Sequence, residues 1–521
     1  MTNKNLKLAQ EKFLKGDKET AKKICLNLIH QKLDTNVFNF LGIIELSENN
    51  YLESLKHFHK SLKLNQNNVK ALNNIGNTLI KKNKYKSAIV FLKKAIAIDN
   101  KFVQAYLNIS LAYLETRDTI NSIAYLKKLL IVDNNNFSAL NNLGSIFHEK
   151  KEYDKSLVYF LRALELNSND EILLNNLGLL YEKQNKFKKA KLHFEKSLNI
   201  KPDFFDCQFN LSLLNLKIGN CKEGMLLYDS RFYRKERKNK LNFDHNVLKL
   251  TLNEINKTKK IYIISEQGYG DIFQFCRVGI VLKKLGYRVA LIIEDGLYEF
   301  FSQQSIFDEY IRKSNIENNI ITKDIIIPLL SVPRIFELNL KNLNIGNSYI
   351  KSNNEKKEYW SKKIDKNKFN IGISWSTTKD NNYNRNIPIN LFRKINKFKT
   401  TQLISLHTDK HLKDLNENIN DLKDIIFFQN IDIKDKFVDT AAIIENLDLV
   451  ICTDSVVTHL SAAMGKKTWV LLSNYHDWRW SIKTEKSYWY NSVKLFRNKK
   501  EKNWGKVMQK VLKELKKLLI N

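Results

Sequence analysis

The chain has 521 residues, too many for one hydrophobic core, and its 43% hydrophobic and 11% aromatic residues exclude a wholly disordered protein. Its five cysteines are scattered without CxxC spacing, which argues against a disulfide framework or a zinc site and fits a reducing compartment. The net charge of +32 admits an anionic partner, but the excess is spread along the chain rather than gathered in a basic block, which favours a compositional habit over nucleic-acid binding.

The first half of the chain has a strict period of 34 residues. A small residue recurs at each period, and a bulky residue follows it later in the same repeat. The small residues are Gly42, Gly76, Ser110, Gly144, Gly178 and Ser212, and the bulky ones are Phe58, Leu92, Leu126, Phe160, Phe194 and Tyr228. Because small residues let paired helices approach closely, the pattern resembles the tetratricopeptide repeat, a helix–turn–helix unit. About six to seven repeats over residues 1–234 predict an α-solenoid.

Asparagine recurs two positions before the small residue in five repeats. These residues are Asn74, Asn108, Asn142, Asn176 and Asn210. In this repeat type the position faces the concave surface, where a carboxamide can grip an extended peptide without reading its sequence. A similar asparagine ladder is found in protein O-GlcNAc transferases, so we predict a peptide groove here. The sequence leaves open the alternative that some of these amides bond to neighbouring helices.

The period is lost after residues 228–240, and we place a linker at 235–257. Beyond it, β-branched runs alternate with helical patterns. The runs are IYIIS (261–265), RVALII (288–293), DIIIPL (324–329), NIGISW (370–375), DLVICTD (448–454) and TWVLL (468–472). This alternation predicts parallel sheets with helices on both faces, so the fold class is α + α/β. Ligands of such sheets bind beyond the carboxyl ends of the strands, where residues 266–271, 374–385 and 454–459 fall.

The loop 266–271, EQGYGD, follows the first of these strands. Gly268 and Gly270 would allow a ligand to approach the backbone closely. Asp271 is either a base that faces this ligand or the N-cap of the helix that follows, and the two roles can coexist. The loop alone is a weak signal, because its glycines do not complete a G-x-G-x-x-G motif.

Five stretches of the second half, in unbroken order, resemble the glycosyltransferase family 9 domain of ADP-heptose:lipopolysaccharide heptosyltransferases, in the version fused to tetratricopeptide repeats. They are SEQGYGDIFQFCR (265–277), IPLLSVPRIF (327–336), IGISWSTTKDNNYNRNIPINLF (371–392), DTAAIIENLDLVICTDSVVTHLSAAMGKKTWVLL (439–472) and DWRWSIKTEKSYWYNSVKLFR (477–497). The resemblance covers residues 258–505 and implies a GT-B fold, in which two Rossmann-like domains face each other. We assign residues 258–352 to the acceptor-side domain and 353–521 to the nucleotide-sugar domain.

The resemblance implies a role for Asp271. The matching aspartate of the family is proposed to deprotonate the acceptor hydroxyl. Gln267, Gly268, Gly270 and Gln274 are then the expected acceptor contacts.

The donor side is expected around CTDSVVTHLSAAMG (452–465). Asp454, Ser455 and His459 match the family pattern Asp-Thr/Ser-Gly-x-x-His, with Val456 in place of the glycine. A helix that starts at about Val456 would present free N–H groups to a diphosphate.

A third cluster after the strand NIGIS consists of Ser374, Trp375 and Arg385. Arg385 can pair with the departing diphosphate, because a guanidinium matches phosphate oxygens in bidentate fashion. We expect Asp439 and Thr440 to cap a helix as readily as to contact ligand. Residues 478–480, Trp-Arg-Trp, are expected to contribute packing and one ion pair.

Metal-independent transfer fits the sequence, because it contains no Asp-x-Asp triplet or other clustered metal ligands. The leading hypothesis is an inverting glycosyltransferase that needs no cofactor beyond its nucleotide-sugar co-substrate. Its acceptor would be a protein, a glycan or a lipid-linked precursor presented near the repeats. The alternative is an interaction scaffold whose GT-B part binds a nucleotide but no longer transfers.

The sequence also predicts where the protein acts. Its N-terminus lacks the apolar core of a signal peptide, and no apolar run approaches the ~20 residues that span a bilayer. We expect a cytoplasmic protein, with peripheral binding at the inner membrane face left open by the positive charge.

Overall fold

The computed structural model describes residues 2–234, 244–316, 325–340, 343, 348–377, 385–408, 424–433, 435–482, 484–498 and 503–520. The chain divides into two compact units, Met1–Phe204 and Phe205–Asn521. The first is all-α and the second is α/β, which confirms the predicted fold class.

The described part of the first unit consists of helices that pair in sequence as hairpins. Their bounds are α1 Thr2–Leu14, α2 Lys18–Gln31, α3 Thr35–Ser47, α4 Tyr51–Leu64, α5 Val69–Lys81, α6 Tyr85–Ile98, α7 Val103–Glu115, α8 Thr119–Val132, α9 Phe137–Glu149, α10 Tyr153–Leu166, α11 Glu171–Lys183 and α12 Phe187–Ile200. The turn inside each hairpin contains a left-handed residue, and Asn49, Asn83, Arg117, Lys151 and Asn185 occupy this position 34 residues apart with φ between 57° and 63°.

Each hairpin closes around the small and bulky residues of the repeat. A Cβ added at Gly178 would lie 2.5 Å from Cδ1 of Phe194, and one at Gly76 would lie 2.5 Å from Cγ of Leu92. Phe194 and Leu92 are themselves fully buried. The glycines are therefore required by the close approach of the two helices, as the period predicts.

The second unit begins with one more hairpin and continues with two parallel sheets. Its helices are α13 Phe205–Ile218, α14 Cys221–Tyr228, α15 Tyr269–Phe275, α16 Val278–Lys284, α17 Asp295–Phe301, α18 Val332–Ile335, α19 Asn354–Ser361, α20 Val438–Glu445, α21 Val456–Ala463 and α22 Trp504–Ile520. Short 3-10 turns, among them Asp229–Phe232 and Trp478–Trp480, lie between these elements.

The first sheet comprises β1 Lys260–Ile264, β2 Arg288–Ile293, β3 Glu309–Arg312 and β4 Ile325–Pro328, in the order β3-β2-β1-β4. The second comprises β5 Phe369–Ser374, β6 Thr401–Ser405, β7 Ile425–Ile426, β8 Leu449–Thr453, β9 Thr468–Leu472 and β10 Val493–Arg497, in the order β10-β9-β8-β5-β6-β7. Both sheets are parallel throughout. The second order is that of a doubly wound dinucleotide-binding sheet, with its reversal between β5 and β8.

The second sheet buries both faces because side chains alternate along its strands. Val450 and Cys452 of β8 join an apolar cluster that also contains Ile261 and Ile263 of β1. The neighbouring residues of β8 face a separate cluster, to which α22 contributes the side chains of one helix face. No helix among the described residues is long and apolar enough to cross a membrane.

The glycine in the last full repeat of the first unit offers a test of this packing. We expect Gly178→Ala to lower the urea midpoint of the helical array by an amount equivalent to about 1–3 kcal/mol, because the new methyl group meets Phe194. Helix propensity alone predicts the opposite sign, a gain of about 1 kcal/mol. The control is Asn142→Ala at an exposed position of α9, which should leave the midpoint unchanged or raise it. Far-UV circular dichroism follows the unfolding of each protein in urea. Equal midpoints for Gly178→Ala and the wild type would contradict the packing account.

Candidate functional site

The predicted donor residues meet at the carboxyl edge of the second sheet. Ser374 ends β5 and Asp454 follows β8, and these two strands are neighbours at the point where the strand order reverses. The edge of the sheet at such a reversal is where doubly wound sheets bind ligands. The sequence had placed both residues at strand ends, and the topology brings them together.

Three adjacent strands end in buried polar atoms that have no hydrogen-bond partner within the described residues. These atoms are Ser374 Oγ after β5, Asp454 Oδ2 after β8 and Ser473 Oγ after β9. The three residues are between 1% and 6% exposed. Buried polar groups in folded proteins are nearly always paired, so such a row indicates a place for ligand or ordered water. Ser473 was not singled out by the sequence, because a lone serine after a strand carries no pattern.

The helix α21 begins directly beside this row. Ser455 is its N-cap residue, and the Ser455 N–H donates to Oγ1 of Thr458 over 3.4 Å. The Ser455 hydroxyl is buried and has no partner in the described part of the chain. The helix start at Val456 confirms the predicted element and leaves its first N–H groups pointing toward the sheet edge.

Arg385 is attached to the same edge through its backbone and side chain. Thr453 Oγ1 donates to the Arg385 carbonyl over 2.6 Å, and Nη1 of Arg385 donates to the Asp454 carbonyl over 3.2 Å. The guanidinium is also 3.8 Å from Oδ2 of Asp454. Burial raises the pKa of Asp454 above its ordinary value, although the charge of Arg385 opposes this.

Trp375 lies apart from these groups. Its ring is 1% exposed and joins the apolar cluster that packs on the face of the sheet covered by α22. The backbone N–H of Trp375 donates to Nε2 of His407 over 3.1 Å. The ring thus faces the core, while Ser374 one residue earlier lies at the sheet edge.

Asp271 caps its own helix and makes an ion pair. The Gly268 N–H donates to Oδ2 of Asp271 over 3.0 Å at the start of α15, and Oδ1 accepts from Nη2 of Arg479. Burial raises the pKa of Asp271, against the opposing effects of Arg479 and the Gly268 N–H. The sequence placed Asp271 at the N-cap, and this position is wrong: α15 begins at Tyr269 with Gly268 as its N-cap, so Asp271 lies in the first turn and bonds back to the cap residue.

Arg479 joins two carboxylates from distant parts of the chain. Its Nη1 donates to Oδ1 of Asp477 over 2.8 Å, and its Nη2 contacts Asp271. Burial disfavours the charged form of Asp477, but Arg479 outweighs this effect and holds the pKa of that carboxyl below its ordinary value. Nε of Arg479 is buried and has no acceptor among the described residues. The sequence had assigned this residue to packing with one ion pair, and its contact with Asp271 could not be read from a separation of 208 residues.

His459 is enclosed by aromatic rings on α21's inner face. Its Nδ1 lies 3.0 Å from the Tyr490 hydroxyl, and its ring stacks on Trp480 with centroids 5.3 Å apart. Burial, assisted by Arg479, lowers the pKa of His459 to about 3. The imidazole is therefore neutral near pH 7 and can exchange hydrogen bonds without contributing charge.

The helices α15 and α21 touch directly at the two sheet edges. A Cβ on Gly270 would lie 3.0 Å from Cδ2 of His459 and 3.7 Å from Cα of Val456. One turn later, Gln274 is fully buried, and neither its amide nitrogen nor its oxygen has a partner within the described chain. The predicted acceptor contacts Gly270 and Gln274 therefore lie in a closed contact, and Gln267 Nε2 donates to the Tyr228 hydroxyl over 3.1 Å.

The predicted peptide groove is partly bonded within the repeats. Asn74 donates to Oδ1 of Asn39 over 3.1 Å, and the same bond joins Asn108 to Asn73 and Asn176 to Asn141 over 2.8 and 3.2 Å. Asn142 is exposed. In the preceding repeat, Leu107 stands at the position where the other repeats have the accepting asparagine. Asn210 is half-buried in α13. The bonds to neighbouring helices that the sequence left open are thus present in three repeats.

The second unit also contains a cavity of about 480 Å³ near the start of α20. Trp360, Tyr359 and Phe428 line it beside two lysines and Asp439. Asp439 accepts from Nε1 of Trp360 over 3.0 Å, and its N–H is capped by Asp432. Asp439 thus has the structural role expected of a helix start. No group of metal-ligating side chains occurs among the described residues.

Known proteins resemble the two parts of the chain separately. Solved structures similar to it include PilF of Pseudomonas aeruginosa, with 17% identity and a TM-score of 0.36 over 40% of this chain and 95% of that chain. A tetratricopeptide repeat protein of Parabacteroides merdae has 17% identity and a TM-score of 0.38, over 45% and 94%. The protein TTC0263 of Thermus thermophilus has 20% identity and a TM-score of 0.31, over 35% and 100%. A search of curated proteins gave no match.

Family models define the class more directly. Models of the tetratricopeptide repeat match residues 76–116, 103–136 and 135–203. The model of glycosyltransferase family 9 (heptosyltransferase) matches residues 322–515. The chain thus contains tetratricopeptide repeats and, over residues 322–515, a domain that matches glycosyltransferase family 9. The sequence motifs predicted both, although the motif at 265–277 lies before the matched residues.

The buried imidazole gives a pH prediction. The pKa of His459 is about 3 in the folded protein, against about 6.5 in the unfolded chain. Between these two pH values the unfolded state binds one proton more than the folded state. The free energy of unfolding therefore falls as the pH drops through this window. We expect NMR of labelled histidine rings, assigned with His459→Gln, to show no protonation of His459 between pH 7 and pH 5. A midpoint near 6.5 would show that the ring is exposed.

Proposed function

We propose that this protein is a metal-independent, inverting glycosyltransferase that uses a nucleotide-sugar. The observation that carries this proposal is the row of buried polar atoms at the β5, β8 and β9 edge, which lack a hydrogen-bond partner among the described residues and lie beside the start of α21, opposite Asp271. The two parallel sheets with facing edges fit the two Rossmann-like domains of a GT-B enzyme. The cytoplasm is the proposed location, with binding at the inner membrane face as a further option.

The edge offers hydrogen-bond donors that suit a diphosphate. The hydroxyls of Ser374, Ser455 and Ser473 and Nε of Arg479 are buried and have no acceptor among the described residues. A diphosphate would supply acceptor oxygens to these donors, and Arg385 and the first N–H groups of α21 would add positive charge. Asp454 is the exception, since it would face a sugar or ribose hydroxyl rather than phosphate. His459 would support the edge in its neutral form.

The proposed reaction is a single displacement. The acceptor hydroxyl oxygen attacks the anomeric carbon as the bond from that carbon to the phosphate oxygen breaks, and Asp271 takes the hydroxyl proton. The electron pair of the broken bond leaves with the diphosphate, where Arg385 and the helix start stabilise the new charge without a metal ion. Attack from the side opposite the leaving group inverts the anomeric centre.

Asp271 can act as this base only after its contact with Arg479 weakens. In the structure, Arg479 neutralises the carboxylate and Gly268 occupies its second oxygen. A bound diphosphate would compete for the guanidinium, since phosphate oxygens are strong acceptors for arginine. Donor binding would in this way release Asp271, whose pKa is already raised by burial.

The acceptor is proposed to be a protein or peptide held by the repeats, with a glycan or a lipid-linked precursor as the other choice. Asn74, Asn108 and Asn176 each donate one side-chain N–H to an asparagine of the preceding repeat. The amide oxygens of Asn74 and Asn108 also accept longer bonds from Asn73 and Gln104, over 3.5 and 3.4 Å, and Asn176 also donates to Ser145 Oγ over 3.5 Å. A bound peptide backbone would share or displace these longer bonds. An acceptor that reaches Gly270 or Gln274 requires α15 and α21 to separate.

A non-transferring scaffold is the second candidate. The observation that favours it is the closed contact of α15 with α21, in which Val456 stands where the family has glycine and lies against Gly270. A fixed contact of this kind would allow protein binding by the repeats while it kept donor and acceptor from meeting.

The first test is nucleotide release from a panel of sugar nucleotides, with and without candidate acceptors. We expect slow release from one donor and a loss of about 10²–10⁴-fold in Asp271→Asn, because the base is removed while donor binding survives. Calorimetric titration of the same donor measures that binding in both proteins. The matched control is Asp365→Asn, at an exposed aspartate before β5, which should release at the wild-type rate. Donor binding without release in all three proteins would favour the scaffold.

A further inference from the structure

The first sheet has its own crevice, and a side chain of this protein fills it. The strand order β3-β2-β1-β4 reverses between β1 and β4, so a ligand would be expected near Glu266 and Leu330. Arg231, from the 3-10 turn Asp229–Phe232, lies there with an exposure of 0%. Glu266 accepts from this guanidinium and also from the Leu330 N–H over 3.1 Å.

All five N–H groups of the Arg231 guanidinium have acceptors. Nε and Nη2 donate to the two oxygens of Glu266 over 3.2 and 2.6 Å, and Nη2 also donates to Ser331 Oγ over 3.0 Å. Nη1 donates to Asp229 Oδ1 over 2.6 Å and to the Tyr228 carbonyl over 3.1 Å. The rings of Tyr228 and Phe232 cover the guanidinium at 4.5 and 4.1 Å. Only arginine can fill this set of acceptors, because lysine has three donors and no planar fork.

A second arginine completes the charge balance. Arg334 Nε donates to the other oxygen of Asp229 over 2.6 Å, and its Nη2 donates to the Leu248 carbonyl over 2.7 Å. Two arginines thus face two carboxylates in a buried group where every charge is paired. Such a group is stable only when complete, since one missing partner leaves a buried charge.

The group holds the loop that leads to Asp271. Gln267, next to Glu266, has φ of 63°, a left-handed conformation that costs a non-glycine residue energy. Its side chain bonds the Tyr228 hydroxyl, and Gly268 then donates to Asp271. Residues 228–231 therefore hold the strained residue in two ways: Tyr228 bonds its side chain, and Arg231 bonds the preceding Glu266.

We propose that the segment 228–231 is a built-in occupant of the ligand crevice of the first sheet, and that Arg231 is a positioning residue for Asp271. The acceptor consequently approaches from the α15 side rather than through this crevice. The part of the proposal that concerns the positioning of a catalytic base rests on the proposed function. The part that concerns the fixed loop does not.

This arrangement also links the last helical hairpin to the transferase loop. Tyr228 is the final residue of α14, and its ring packs against Phe209 of α13 with centroids 5.7 Å apart. Through its ring and its hydroxyl, Tyr228 thus contacts both the hairpin α13–α14 and the loop that leads to Asp271.

The test compares the full-length wild type with Arg231→Lys and with Tyr228→Phe, which removes one hydroxyl and keeps the ring. Arg312→Lys is the matched control, because Arg312 pairs with Glu299 at the edge of the same sheet, away from the loop. Hydrogen exchange followed by mass spectrometry reports the peptide that covers residues 265–271. We expect its exchange to accelerate about tenfold or more in Arg231→Lys, and less in Tyr228→Phe, with β9 and β10 unchanged.

Turnover supplies an independent readout. With the active donor, we expect kcat for nucleotide release to fall about tenfold in Arg231→Lys while KM stays within about twofold, because the donor is held by the other sheet. Unchanged exchange at 265–271 in both variants, or equal acceleration throughout the chain, would overturn the proposal. A wild type that releases no nucleotide would refute the catalytic part alone, and the exchange result would still decide whether residues 228–231 fix the loop.

Discussion

The second unit depends on one constraint, which is that charges buried between its two sheets must be neutralised. Arg479 meets this constraint by contacting Asp271 on one side and Asp477 on the other. Removing one partner from such a buried pair costs about 3–5 kcal/mol, because the other charge is left without compensation. The contact therefore fixes the start of α15 against the loop that follows β9. The contact also means that Asp271 can accept a proton readily only when the guanidinium of Arg479 has moved away from it.

Two buried regions of the second unit differ in how far their polar groups are hydrogen-bonded. Around Arg231 every N–H of the guanidinium is paired, and the close approach of Gly270 to His459 excludes even a methyl group without adjustment. At the ends of β5, β8 and β9, buried polar atoms have no hydrogen-bond partner within the described part of the chain. A ligand rich in acceptor atoms would satisfy the second region and draw Arg479 away from Asp271. The closed contact and the proposed activity are consistent if donor binding accompanies this exchange.

Patterns of short range made much of the fold predictable. The 34-residue period fixed the helical hairpins, because Gly178 and its equivalents recur for a steric reason that each repeat meets alone. Runs of β-branched residues located the strands that carry Ser374 and Asp454 at their ends. The pairing of Asp271 with Arg479 and of Glu266 with Arg231 could not be predicted in this way. Such pairs depend on which strands become neighbours, and a single sequence contains no local signal for that. The sequence predicted the bonds of Asn74, Asn108 and Asn176 to neighbouring helices only as an alternative to peptide binding. One amide can bond a neighbouring helix and a peptide at the same time, so the pattern does not separate the two roles.

The most direct test of the account is a crystal structure with a nucleoside diphosphate, chosen by calorimetry from ADP, UDP and GDP. The account predicts a diphosphate within hydrogen-bond distance of Arg385, Ser455 and the first N–H groups of α21. It also predicts that Arg479 has turned from Asp271 toward the phosphate. A diphosphate in the cavity lined by Trp360 and Phe428, with the contact between Arg479 and Asp271 intact, would contradict the account.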